Sequence, residues 1–123
     1  MRILLLTLLL ASGAAAQTVP TDSLAGAWTV DLRPAPEADF YGVPFVVDSV
    51  YTDSTFAGSF HGSRVQNATF NLSWGVTRFA FTTDDGGSVY HTSGVLHDGW
   101  LEGTTHAVQR EFLSYWTATR RTD

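Results

Sequence analysis

From residue 24 to residue 120 the chain alternates apolar and polar side chains in short runs. No window keeps the i, i+3, i+4, i+7 apolar spacing of an amphipathic helix. The runs are rich in Val, Thr, Phe, Tyr and Trp, and Gly, Asp and Ser interrupt them about every 8–12 residues, as in an all-β chain. Eight strands are predicted, over residues 25–32, 45–52, 55–62, 66–73, 76–83, 88–96, 101–108 and 112–120. Turns fall at Asp53-Ser54, Ser63-Arg64, Trp74-Gly75, Asp84-Asp85-Gly86-Gly87, Asp98-Gly99 and Arg110-Glu111. Asp98-Gly99 is the strongest, because both residues tolerate the positive φ of a type I′ hairpin. Only the link 33–44 is long; it holds three prolines, Phe40 and Tyr41. Short connections pair each strand with its predecessor. Eight such antiparallel strands can close into an up-and-down β-barrel without edges.

A two-residue turn decides which residues face each other, and successive side chains take opposite faces. Around Asp98-Gly99, Leu96 is set opposite Leu101, Gly94 opposite Gly103, Thr92 opposite Thr105 and Tyr90 opposite Ala107. His91, His106 and Glu102 share the other face. Glu102 belongs outside, so the first set is the interior. The same reasoning at Arg110-Glu111 puts Ser114, Trp116, Ala118 and Arg120 inside. At Trp74-Gly75 it sets Phe70 opposite Phe79 and Leu72 opposite Thr77, all inside. At Asp53-Ser54 it sets Phe45 opposite Gly62, Val47 opposite Phe60, Ser49 opposite Gly58 and Tyr51 opposite Phe56, again inside. In the first strand Trp28, Val30 and Leu32 point in, while Asp31 and Arg33 point out. A meander brings the start of the first strand and the end of the last to one barrel end. Arg120 is therefore expected beside Trp28, where an indole face can partner a buried guanidinium.

Ahead of these strands, Met1-Arg2 precedes an apolar run and the small residues Ala14-Ala15-Ala16. This has the form of a secretory signal peptide cut before Gln17, and it is short for a membrane span. Residues 1–16 are expected to be removed, 17–23 to form a flexible leader, and 24–123 to form a single barrel domain in the periplasm or outside the cell. Cleavage would leave 107 of the 123 residues, room for one domain. The chain has no Lys; the six Arg left after cleavage face twelve Asp and Glu. This acidic balance argues against nucleic acid and anionic membranes as partners. The lack of Cys excludes disulfides, thiolate metal sites and a Cys nucleophile. Stability must come from the core, which 13% aromatic residues can supply. A homo-oligomer remains open.

Gly26-Ala27-Trp28 at the start of the first strand, with Arg120 brought to the Trp from the last, resembles the mark of the calycin superfamily: lipocalins, fatty-acid-binding proteins and avidins. Three segments are similar to avidins in particular. Residues 24–32 (LAGAWTVDL) resemble their first strand, 56–60 (FAGSF) an F-T-G-T-Y segment, and 116–120 (WTATR) a W-K-A-T-R segment. The resemblance implies a calycin-like barrel with Gly26, Trp28 and Arg120 as its structural signature. It does not extend to biotin. The positions that carry the avidins' polar contacts to the ureido ring correspond to Val30, Pro34, Phe60 and Gly62, none with a hydrogen-bonding side chain. Tight biotin binding is therefore not expected.

Towards the end under the 33–44 link, the barrel interior would present Leu32, Phe45, Phe60, Ala68, Phe81, Tyr90, Ala107 and Phe112. Small residues on the last three strands leave space beside aromatic walls. Such a pocket suits non-covalent binding of a small, mostly apolar molecule. Candidate contacts are Tyr41, Phe45, Phe60, Phe81, Tyr90, Thr92, Thr105 and Ser114, with the 33–44 link as a lid. Alternatively the eight Phe fill the barrel as core, since small barrels occur both filled and hollow. A filled barrel would favour protein binding, as in a secreted protease inhibitor with residues 17–23 as its arm. Catalysis has little support, because G-x-S-x-G, H-E-x-x-H and interior carboxylates are all missing. No cofactor is expected. His91 and His106 should lie about 5.5 Å apart at Cα, but outside, as do His61 and His97, with no carboxylate as third ligand; no metal site is assigned. Asp84-Asp85-Gly86-Gly87 reads as a turn rather than a calcium loop. Trp74 and Trp100 are expected to cover the closed base.

Overall fold

The computed structural model describes residues 24–122. The signal segment 1–16 and the leader 17–23 lie outside the described residues. Nine strands form one antiparallel sheet: β1 Gly26–Asp31, β2 Gly42–Val50, β3 Phe56–Phe60, β4 Ser63–Arg64, β5 Gln66–Asn71, β6 Thr77–Asp84, β7 Val89–Leu96, β8 Trp100–Ala107 and β9 Phe112–Arg120. Their order is β4-β3-β2-β1-β9-β8-β7-β6-β5. The first strand pairs with the last, Trp28 opposite Arg120. Across the remaining seam Thr55 bridges Thr69, and the Phe70 N–H donates to the Ser54 carbonyl at 2.9 Å. The result is a nearly closed up-and-down barrel. The strand beyond the expected eight is β4, two residues long, formed where a turn was expected.

Two hairpins have the expected register and two do not. β7 and β8 pair as the Asp98-Gly99 turn demands, His91 with His106 through Leu96 with Leu101. β5 and β6 pair Phe70 with Phe79, and the register shifts only at the far end, near left-handed Asn67. Between β8 and β9 the chain inserts a 3₁₀ turn, Val108–Arg110, and left-handed Glu111. Trp116 therefore pairs with Gly103 rather than Thr105. A shift of two residues leaves every side chain on its face. Between β2 and β3, Ser54 turns with φ 72° and the register breaks between Val47 and Ser49. The unpaired Asp48 reverses the faces beyond it. Val50 thus opposes Phe56, while Tyr51, expected inside, is exposed and Ser49 is half-buried. Leu72, also expected inside, is exposed just past β5.

Aromatic rings fill the middle of the barrel. Phe45, Phe56, Phe60, Phe79 and Phe81 are all buried, with neighbouring ring centroids 5.4–6.4 Å apart. Trp116 joins them through Phe60, at 5.8 Å. Glycines on the neighbouring strands make the room. Phe79 lies opposite Gly94 and Trp116 opposite Gly103. A Cβ at Gly94 would meet Phe79 and lie 2.8 Å from the Glu102 carbonyl oxygen; one at Gly103 would run into the Trp116 ring and lie 2.7 Å from the Ser93 carbonyl oxygen.

Leu24, Trp28 and Leu101, all fully buried, close the base. The Trp28 indole N–H donates to the Leu24 carbonyl at 3.0 Å. The Arg120 guanidinium lies 4.2 Å from the indole centre and donates to the Ala25 carbonyl at 2.6 Å. Arg120 thus reaches Trp28 as expected, but it is exposed rather than buried. It covers the ring from outside, where its charge keeps hydration that burial would remove. Trp74 does not cover the base: it is 73% exposed. Trp100 instead stacks on His97 at 4.3 Å.

Gly103→Ala should destabilise the barrel by about 1–3 kcal/mol, because neither the Trp116 ring nor the Ser93 backbone can yield freely. Urea unfolding checks this through a lower midpoint; an unchanged midpoint would contradict the packing.

Candidate ligand-binding cavity

At the end away from Trp28, β1, β3, β6 and β8 finish while β2, β4, β7 and β9 begin. A cavity of about 470 Å³ opens there. Leu32, Pro34 and Tyr41 line it from the end of β1 and the β1–β2 link. Phe60, His61 and Ser63 line it from the β3–β4 turn, and Thr83 and Asp85 from the end of β6. Tyr90, Thr105, Arg110 and Phe112 complete the wall.

The cavity brings together four of the eight residues expected to contact a ligand: Tyr41, Phe60, Tyr90 and Thr105. Leu32 and Phe112, also placed at this end, line it too. Phe45 and Phe81 do not; they pack in the aromatic layer below. The reason is register. β2 starts at Gly42, so Val43 is its first buried residue, and Phe45 lies deeper, opposite both Trp28 and Phe60. Ala68 and Ala107 are likewise buried and off the wall. Thr92 lies beneath the floor, its hydroxyl 2.9 Å from that of Thr105. Thr105 also accepts the Trp116 indole N–H at 3.0 Å. Both hydroxyls are committed within the protein. Ser114 is buried, donates to the Tyr115 carbonyl at 3.2 Å, and borders a separate hollow between Arg33 and Tyr115 instead.

Polar groups ring the mouth. Asp85 Oδ1 accepts the backbone N–H groups of Gly87 and Ser88, each at 2.9 Å. Its Oδ2 accepts the Tyr90 hydroxyl at 3.1 Å. The Gly87 and Ser88 amides hold the carboxyl below its ordinary range, with smaller help from Tyr90 and the charge of Arg110. Burial, then the bond to Asp85, raises the Tyr90 phenol. The Tyr90 ring meets Phe112 edge-on at 6.2 Å, and Tyr41 meets His61 similarly at 6.1 Å. The link over the mouth is tied down. Arg33 donates to Asp31 Oδ2 from Nε at 2.8 Å and from Nη2 at 2.7 Å. The bond to Arg33 is the main reason the Asp31 carboxyl is lowered. Asp31 Oδ1 accepts the Tyr41 N–H at 3.2 Å, and the Leu32 N–H donates to the Tyr41 carbonyl at 2.8 Å.

Several wall residues were not anticipated. His61 was assigned outside, but β3 ends at Phe60 and His61 adopts φ 51°, which takes it off the strand's outward row. Asp85 enters from a turn, although no acidic interior residue was expected. The Asp84–Ser88 segment is nonetheless a turn, its two carboxylates accepting backbone N–H groups. Arg110 arrives with the 3₁₀ turn. Of the other histidines, His91 and His106 face each other on the outside, and His97 bonds Glu102 at 2.8 Å. Among the described residues no three or more His, Asp or Glu side chains are grouped to hold a metal ion. Comparisons with protein-family models, with curated proteins and with solved structures found no match to this chain.

Asp85 titrates below its ordinary 3.8 when folded. Its contribution to the β6–β7 turn is therefore complete above the unfolded value of about 4 and is lost as the pH falls through the lower folded value. Asp85→Ala should remove it at neutral pH, speeding amide exchange at Gly87 and Ser88 about tenfold or more while the β8 amides keep their protection. Equal exchange in the variant and the parent would contradict this role.

Proposed function

We propose that this protein binds a small, largely apolar molecule, non-covalently, in the cavity at the barrel mouth. The observation that carries the reading is the cavity itself, walled by Leu32, Pro34, Tyr41, Phe60 and Phe112 and floored by tightly packed rings. Its size falls in the range of roughly 300–1,000 Å³ usual for small-molecule sites. Apolar burial, at about 25 cal/mol per Å², would supply most of the affinity. The bonds from Asp31 to Arg33 and Tyr41 favour a site formed in advance, which lowers the cost of ordering on binding.

Gly26 and Trp28 at the start of β1, with Arg120 over the indole, support a calycin-like assignment of the barrel. The signal-like composition of residues 1–16 supports export to the periplasm or the medium. The rival reading, recognition of another protein, draws on the ring-filled middle of the barrel and on Leu113 and Tyr115, which are 73% and 57% exposed on the outer wall.

Native mass spectrometry of protein purified from its own host tests the proposal; a retained small molecule is expected. Phe60→Arg is a poor probe, since Phe60 is buried against Phe45, Phe81 and Trp116. Leu32→Trp instead fills the mouth from its half-buried edge. It should reduce occupancy at least about tenfold, the equivalent of roughly 1.4 kcal/mol, with little change in melting temperature. Full retention of the molecule by a folded Leu32→Trp variant would sink the proposal.

A further inference from the structure

We infer that the ligand carries an anionic head, of carboxylate or sulfonate type, held at the mouth by Arg110 while its apolar body lies inside. The inference rests on the cavity reading above and deepens it. Arg110 is the one arginine on the wall among the described residues. Among the described residues no hydrogen bond or ion pair engages its guanidinium; its charge is felt only at a distance, on Asp85 and Tyr90. Arg33, beside the same mouth, is different: Asp31 holds it through two nitrogens. Asp85, the one carboxylate on the wall among the described residues, is in the opposite state. Three donors already occupy the two oxygens of Asp85.

Complementarity follows from that asymmetry. A cationic head would meet the Arg110 charge and find the Asp85 oxygens engaged. An anionic head would meet a planar fork of unengaged donors, the geometry that binds two oxygens at once. Placement agrees. Arg110 ends the exposed 3₁₀ turn two residues before Phe112, whose ring lines the cavity. A head at Arg110 stays near water while the body reaches Phe112, Leu32 and Phe60. The desolvation that makes buried ion pairs unfavourable is thereby limited. Asp84, next to Asp85 in the chain, and Glu111, next to Arg110, are exposed, where solvent and salt screen them.

Two fluorescent probes with the same aromatic pair test this: 1-anilinonaphthalene-8-sulfonate and its neutral counterpart N-phenyl-1-naphthylamine. The folded protein should bind the sulfonate about tenfold more tightly, as expected for a charge-assisted hydrogen bond. The preference should shrink as salt rises from about 0.05 to about 0.5 M. Arg110→Gln should bring the ratio of the two dissociation constants close to one, and Arg110→Lys should leave it between. Equal binding of both probes by the parent, or a ratio that survives Arg110→Gln, overturns the anionic head and leaves the cavity reading standing. Binding of neither probe overturns both.

Discussion

The barrel depends on rings from one strand lying over glycines of the next. Phe79 faces Gly94 and Trp116 faces Gly103, and the two glycines face each other across β7 and β8. A side chain at either would strike backbone as well as ring. Only with those positions empty can a barrel of nine short strands enclose six phenylalanines and Trp116. Each such ring contributes about 1.5–3 kcal/mol on burial. That is how a domain without disulfides obtains a core of sufficient strength. At the base, a different device completes the closure. Trp28 is sealed by its own bond to Leu24 and covered by a guanidinium that stays wet.

The same packing decides where space remains. The ring layer is continuous from Trp116 through Phe60 to Phe81 and Phe45, so the barrel is filled at mid-height. Above it the wall includes the small side chains of Thr83, Thr105 and Ser63, and the cavity begins. Filled and hollow are therefore not rival descriptions of this barrel; they hold at different depths. The floor's hydroxyls are tied to one another and to Trp116, so polarity concentrates at the rim, in Asp85, Tyr90, His61 and Arg110.

Much of this is legible in the residues alone, and what is not has a physical cause. Alternation gives the face of a strand, and Asp98-Gly99 gives a unique register, so β7 and β8 can be read correctly. The Asp53-Ser54 and Arg110-Glu111 turns look equally short. Yet Ser54 and Glu111 take positive φ, and the added turn residues slide each pairing by one or two positions. Face survives a slide of two, which is why Phe45 lies inside as its alternation requires. Depth does not, which is why it falls below the cavity rather than on its wall. A bulge of one reverses the face, which exposes Tyr51. The rim is hardest to foresee, because His61, Asp85 and Arg110 are aimed by turns, where period-two alternation carries no information.

The central claim is that the open space lies above the ring layer and takes an apolar body. Backbone amide shifts in NMR, followed during titration with N-phenyl-1-naphthylamine, test it most directly. The account predicts saturable shifts confined to the mouth, at Leu32, Tyr41, Thr83, Tyr90 and Phe112, with β9 residues near Arg120 and the outer face around Leu113 and Tyr115 unmoved. Shifts centred on Leu113 and Tyr115, with the mouth silent, would contradict it.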